Sequence, residues 1–234
     1  MDRYRAAVVI PTLNNDTIFN VVESVRKLGY EVIVVDDGSL SPVEKLLKCD
    51  KKTHVVTHMR NFGKGAALIS GCKKAKELGY LHFISMDADG QHIPSEIYKL
   101  TDMVNEEDNT IVIGARDFSV VNVPKGSKIG RLISNFWAKL DTSANITDSL
   151  SGFRLYPVSI LELPTCTIKF DYEMEVLVRH AWLKRKITEV IVECYYPKAK
   201  ERVSHFKKWR DTMSIIWVHV KLMPLRVLFL KGYI

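Results

Sequence analysis

Through the first half of the chain, short apolar runs alternate with helical patterns, and each apolar run stops at a polar cluster. The runs are Ala6–Ile10, Glu31–Val35, Thr53–Thr57, Leu81–Met86 and Thr110–Gly114. Continuous short apolar runs suit strands buried on both faces. Between them, Asp16–Leu28 places Ile18, Val21, Val22 and Val25 on one helical face and stops at Gly29. Gly65–Leu78 repeats the pattern and closes at Gly79, while Pro94 opens a further helix where its missing N–H costs nothing. This alternation predicts an α/β fold with a mostly parallel, Rossmann-like sheet flanked by helices. Ligands of such sheets bind outside the carboxyl ends of the strands. Polar clusters fall at those ends: Pro11–Asn15, Asp36–Ser39, His58–Lys64, Asp87–His92 and Arg116.

The second half is less regular. Lys128–Leu140 reads as a helix, Asp148–Tyr156 is mixed, Tyr172–Leu183 is an amphipathic helix and Ile187–Tyr195 a strand. From Phe206, the residues Trp209, Met213, Ile216, Trp217 and Val220 continue an apolar stripe at helical spacing. Pro224 interrupts it before the short run Leu225–Leu230. Between Lys198 and Ile234 stand nine basic residues against two acidic ones, so the tail carries the whole net charge of +7. Such a tail seeks phosphate, on nucleic acid, anionic lipid or a phosphorylated substrate. No nucleic-acid reader motif accompanies it, and no nucleic-acid partner is expected. The four cysteines are scattered without a C-x-x-C pair, which argues against a disulfide framework or zinc site and for a reducing compartment. Neither a signal-peptide pattern nor a spanning apolar stretch is found, so a soluble or peripheral protein is expected.

Asp87-Ala88-Asp89 carries the sharpest chemistry. Two carboxylates one residue apart at a strand end can approach a hard divalent cation from one side, leaving the rest of its shell to phosphate and water. A plain turn would also use Asp and Gly. An EF-hand is excluded, because Gly90 comes too early and Tyr98 stands where the bidentate Glu belongs. A haloacid dehalogenase-type phosphatase is disfavoured by the motif's depth in the chain and by Gln91 in place of a hydroxyl residue. Asp36-Asp37-Gly38-Ser39 could accept hydrogen bonds from a base or ribose, but no G-x-G-x-x-G follows the first strand. Asn61-Phe62-Gly63-Lys64-Gly65 lacks P-loop spacing, although Lys64 at a helix start could meet an anion.

These motifs occur in order with Pro11-Thr12-Leu13-Asn14 before them and Gly114-Ala115-Arg116 and Asp148-Ser149-Leu150-Ser151-Gly152-Phe153-Arg154 after them. Together they resemble the family 2 inverting glycosyltransferases, particularly the dolichyl- and polyprenyl-phosphate sugar synthases, from about Ala6 to Arg210. The resemblance implies a GT-A fold with a C-terminal amphipathic helix. Residues 1–203 would form the catalytic domain, with 1–115 as nucleotide-sugar half and 116–203 as acceptor half, and 204–234 a basic helical tail. It implies a donor site of Pro11, Asn14, Asp37, Lys64, Asp87 and Ala88. Asp87, Asp89 and Gln91 would hold Mg2+ or Mn2+. Arg116 and Arg131 would face donor or acceptor phosphates, where a guanidinium fork is apt. Arg202, Ser204 and His205 match a basic loop that meets acceptor phosphate.

The implied reaction is transfer of a sugar, with inversion, from a nucleoside-diphosphate donor to a polyprenyl-phosphate or lipid-linked acceptor. The metal, held in part by Asp89, and Arg116 would stabilise the developing negative charge. A hydroxyl on a glycan or glycolipid would need a base, for which Asp148 and Asp171 both remain candidates. A non-catalytic sugar-nucleotide-binding subunit is the other alternative. The basic, Trp-bearing tail is expected to lie on anionic lipid at the cytoplasmic face of a membrane. Packing on the catalytic domain, on a homodimer partner or on a membrane subunit competes with that placement.

Overall fold

The computed structural model describes residues 6–47, 51–105, 107–117, 125–195, 217–222 and 224–226, with backbone alone for 125–129. Seven strands form one sheet: β1 (Ala6–Thr12), β2 (Val32–Asp36), β3 (Thr53–Thr57), β4 (His82–Ser85), β5 (Ile111–Arg116), β6 (Arg154–Pro157) and β7 (Ile187–Val192). Their order is β3-β2-β1-β4-β6-β5-β7. Every pairing is parallel except those of β6, which runs against both β4 and β5. The helices are α1 (Ile18–Lys27), α2 (Lys64–Glu77), α3 (Ile97–Thr101), α4 (Lys125–Thr142) and α5 (Tyr172–Trp182).

The two-residue period of β1 divides the core. Ala6, Val8 and Ile10 pack with Ile18, Val21, Val22 and Val25 of α1 and with Ile97 and Leu100 of α3. Ala7 and Val9 face the other layer, where Ala67, Leu68, Cys72 and Ala75 of α2 meet Met174 and Leu177 of α5. The expected helix over 16–28 thus forms almost as read, with the predicted apolar face inward. Helix α2 lies so close to the sheet that a Cβ on Gly71 would stand 2.2 Å from Val9 Cγ1.

Helix α5 departs from expectation. Its pattern reads as amphipathic, yet every residue from Tyr172 to His180 is buried. The C-terminal helix (217–222) covers part of it, with Val218 and Leu222 on Val178. The charged residues inside are paired. Glu175 accepts from Arg179 Nε at 2.7 Å, one turn along, and from the N–H groups of Cys166 and Thr167. A charge pattern that reads as a wetted face is here an internal set of ion pairs.

His180 is fully buried, and desolvation, with the Arg185 charge adding to it, pushes its pKa from 6.5 down to about 4. The unfolded chain therefore takes up this proton first as pH falls. Stability from the neutral ring, complete above the unfolded value, is lost between about 6.5 and about 4. Urea unfolding should give a lower midpoint at pH 5 than at pH 7, and His180→Asn should shrink that difference.

Trp217 and Val220 of the C-terminal helix are exposed, whereas Val218, His219 and Leu222 face inward. His219 Nδ1 lies 2.5 Å from Asp141 Oδ2 of α4. The earlier members of the expected stripe, Phe206, Trp209, Met213 and Ile216, lie outside the described residues. Helix α4 also turns large apolar side chains outward, Leu132, Phe136 and Leu140, one turn apart. No helix among the described residues is long and apolar enough to cross a membrane.

Candidate active site

From β1 the chain builds β2 and β3 on one side, then returns to place β4 on the other. The crevice beyond the carboxyl ends of β1 and β4 is therefore the switch point at which such sheets bind ligands. Thr12–Asn15 leave β1 there, and Met86–His92 leave β4.

The loops around the end of β1 are braced against one another. Asn14 adopts φ 48, a left-handed conformation that Asn tolerates. Its N–H donates to Ser39 Oγ at 2.9 Å, and its Oδ1 accepts the Leu40 N–H at 2.8 Å. Asp36 turns inward to accept the N–H groups of Ser39 and Val43. Asp37 accepts the N–H groups of Phe62 at 3.0 Å and Gly63 at 2.8 Å and meets His58 Nδ1 at 2.7 Å. Its carboxylate thus ties the β2 exit to the 58–63 loop. Gly38 fits that contact, since a Cβ there would sit 2.5 Å from the Arg60 carbonyl carbon. Pro11 is half-buried in β1 beside Val35.

Asp87 is held from several sides. Lys64, the first residue of α2, places Nζ 2.7 Å from Asp87 Oδ1 and 3.0 Å from Glu173 Oε2. His92 Nε2 lies 3.4 Å from Asp87 Oδ2, its ring stacked on Phe153 at 5.1 Å. Gly152 lies against the pair: a Cβ there would be 2.6 Å from Lys64 Nζ and 2.7 Å from Asp87 Oδ2. Burial opposes the charge on Asp87, but Lys64 and then His92 outweigh it and hold the carboxyl well below the usual range. Burial also opposes the Lys64 charge, yet Asp87 and Glu173 keep that ammonium protonated above its ordinary value. Against the pull of burial, hydrogen bonds to Asp87 and Cys194 push His92 up to about 9.

Asp89 is placed differently. Its Oδ1 accepts the Gln91 N–H at 3.0 Å. Burial, followed by the neighbouring Asp87 charge, raises its pKa. A raised carboxyl facing a fixed anion marks a point short of positive charge. Between them, the buried Ala88 accepts through its carbonyl from Thr17 Oγ1, fixing the motif to the start of α1. Gln91 carries the next contact outward, its carbonyl accepting the Tyr195 N–H.

No three His, Cys, Asp or Glu side chains among the described residues form a metal cage. Asp87 and Asp89 would offer a divalent cation a donor set that suits a magnesium-type ion completed by substrate phosphate and water. The positive charge wanting at Asp89 agrees with that fit.

Arg116 ends β5 and grips Asp148 with a fork, Nε to Oδ2 at 2.7 Å and Nη2 to Oδ1 at 2.9 Å. Asp148 is fully buried and also accepts the Arg116 N–H. Asp171 is half-buried at the start of α5 and accepts the Lys169 N–H at 3.2 Å. Arg131 is half-buried on α4. Arg202, Ser204 and His205 lie outside the described residues.

Residues 7–163 match the model of glycosyl transferase family 2. The chain belongs to that family. Among curated relatives, this family 2 glycosyltransferase is 30% identical to the UDP-N-acetylglucosamine–dolichyl-phosphate N-acetylglucosaminyltransferase of Methanococcus voltae, over 81% of this chain and 85% of that protein. It is 28% identical to the undecaprenyl-phosphate mannosyltransferase of Micrococcus luteus, over 80% and 82% of the two chains. Its fold is GT-A. Glucosyl-3-phosphoglycerate synthase from Mycobacterium tuberculosis, solved with phosphoglyceric acid, superposes with a TM-score of 0.71 at 17% identity, over 92% of this chain and 79% of that one. The same synthase solved with Mn2+, uridine diphosphate and glucosyl-3-phosphoglycerate gives 0.65 at 18% identity, over 95% and 78%.

Glu173 and the role of His92 do not emerge from the sequence. Glu173 sits in a helix whose periodicity points it to solvent, and only the tertiary fold brings it to Lys64. His92 is visible in the strand-end cluster, but its contact with Asp87 needs the turn at Gly90, φ 72, to fold it back.

Proposed function

We propose that this glycosyltransferase moves a sugar, with inversion, from a nucleoside-diphosphate donor to a polyprenyl-phosphate acceptor at a membrane surface, using Mg2+ or Mn2+. The observation that carries this reading is the Asp87–Asp89 pair at the switch point of the sheet, with Asp87 ion-paired to Lys64 and Asp89 accepting the Gln91 N–H. A divalent ion bound there would supply the positive charge that stabilises a departing diphosphate. Asp89 and Asp87 would hold it. Lys64 and His92 keep Asp87 ionised and oriented for that task. Asn14, braced by Ser39 and Leu40, shapes the donor crevice beside β1.

Two features favour an acceptor that arrives already ionised. Asp148, one of the two candidate bases, is sealed from solvent with both oxygens on Arg116, so it is poorly placed to take a proton. The curated relatives from Methanococcus voltae and Micrococcus luteus act on dolichyl and undecaprenyl phosphates. A lipid phosphate is its own nucleophile and needs no base. The outward apolar row of α4 and the exposed Trp217 and Val220, bordered by exposed Lys139 and Lys221, suit contact with an anionic lipid surface.

The test is transfer from a panel of labelled sugar nucleotides, with Mn2+, to a polyprenyl phosphate in anionic vesicles. The expected result is label in the organic phase with one preferred donor, labile to mild acid, with the anomeric configuration of the intact lipid-phosphate product opposite to that of the donor. Label that enters only hydroxyl-bearing glycans, with no lipid product from any donor, would overturn the acceptor assignment.

A further inference from the structure

Glu173 is an anomaly among the acids of this protein. Its side chain is 10% exposed, its Oε2 sits 3.0 Å from Lys64 Nζ, and its Oε1 is buried with no hydrogen-bond partner among the described residues. Unsatisfied buried carboxylate oxygens are costly. A purely structural ion pair would be expected to use both oxygens, as Glu175 does with Arg179, Cys166 and Thr167. Lys64 is correspondingly shared, since its ammonium stands between Glu173 and Asp87, nearer to Asp87. Lys64 and His92 both contact Asp87, whereas among the described residues neither lies within ion-pair distance of Asp89.

We propose that Lys64 is a tethered counter-ion of the Asp87–Asp89 pair, kept in place by Glu173, and that it sets how tightly the pair takes a divalent cation. The proposal rests on the metal reading of that pair and deepens it. Without a metal, the ammonium stands close to the pair and neutralises part of the charge that would draw a cation in. Glu173 offers an alternative hold. With its second oxygen unused, it can keep the ammonium buried and paired when Asp87 is wanted elsewhere. Lys64 is then a positioning residue that acts through Asp87, and Glu173 one that acts through Lys64. Gly152 is part of the same device, because any side chain there would occupy the space of the Lys64–Asp87 contact. The free enzyme would accordingly hold metal weakly, and the negative charge of an arriving diphosphate would favour metal entry by engaging the ammonium.

The experiment is a titration of the full chain with Mn2+ alone, following the loss of the free-ion paramagnetic signal, so that the readout is affinity rather than turnover. The informative variant is the double substitution Lys64→Met/Glu173→Gln. It replaces the Lys64–Glu173 pair by neutral groups of similar size and leaves His92 beside Asp87. Its melt in chelator should fall below that of the parent, because Asp87 loses its nearer cation, but stay cooperative and above the titration temperature, so that the affinity is read on folded protein. Mn2+ affinity in the double variant should rise by about tenfold, since the nearer positive charge has gone while the pair remains. Glu173→Gln alone, which leaves Lys64 only Asp87 to hold, should weaken Mn2+ binding. An unchanged or weaker affinity in the double variant overturns the proposal, and so does an unchanged affinity in Glu173→Gln. Asp89→Asn serves as control. If it abolishes Mn2+ binding while the double variant matches the parent, only the tethered counter-ion is refuted. If the parent and all variants fail to bind Mn2+, the metal reading falls and the proposal falls with it.

Discussion

Asp89→Asn should leave a folded protein that scarcely turns over. Asp89 would act by holding the cation, and losing one preorganised positive contact to a departing anion typically lowers kcat by on the order of a hundred- to a thousandfold. The upper end is expected here, because the described residues offer no third acidic ligand to compensate. The stability effect has the opposite sign. Burial and the Asp87 charge raise the Asp89 pKa, so at neutral pH its ionised form is held at a cost to the native state. An amide of the same shape removes that cost. Differential scanning in chelator should therefore show a melt equal to or above that of the parent. A melt that drops together with activity would mean that Asp89 supports the fold, and the assignment of a metal-holding role would fail.

Arg154→Met should have the largest effect on stability. This guanidinium is almost wholly buried at the start of β6 and donates to four acceptors. Nε reaches the Ser151 carbonyl at 2.7 Å, Nη2 the Ser149 carbonyl at 2.7 Å, and Nη1 both the Glu173 carbonyl at 2.9 Å and the Tyr156 hydroxyl at 3.1 Å. Removing it strands three buried carbonyls, a loss of roughly 3–5 kcal/mol. Arg154→Lys should recover little of it, because an ammonium cannot match a planar fork reaching in several directions. Urea unfolding should show a much lower midpoint at an unchanged slope. Activity should fall further than the folded fraction does, since these carbonyls shape the loop that lays Gly152 against Lys64 and Asp87. Full activity in the residual folded protein would show that the loop does not depend on this anchor.

The first half of the chain is largely legible in the sequence. Strands buried on both faces write themselves as apolar runs, and helix α1 shows its inward face as Ile18, Val21, Val22 and Val25. The strand-end polar clusters then give the site its address, because the topology of a parallel sheet leaves few other places for them. The later part of the chain is harder to read for definite reasons. Strand β6 is four residues long and antiparallel, too short to show a period, and its start is marked by an arginine that would normally face water. Helix α5 hides Glu173, Glu175 and Arg179 inside the protein, where partners distant in sequence or one turn away compensate them. Periodicity reports the polarity of a residue and cannot report who neutralises it. Asp37 teaches a similar lesson. A strand-end acid reads as a ligand contact, yet its oxygens are engaged by His58, Phe62 and Gly63.

The reversed direction of β6 has a consequence for how such a protein can change. Because β5 leaves the sheet and β6 enters it at the same rim, the connection between them begins and ends there. Arg116 and Asp148 fasten its two ends with a buried buckle. The outer face of the segment between those residues can change without re-threading a strand, while Ala138 and Ile146 anchor its inner face in the core. The carboxylates beyond β4 and the 117–148 segment thus belong to separate connections, and we propose that a change of acceptor is met by recutting the outer face of that segment.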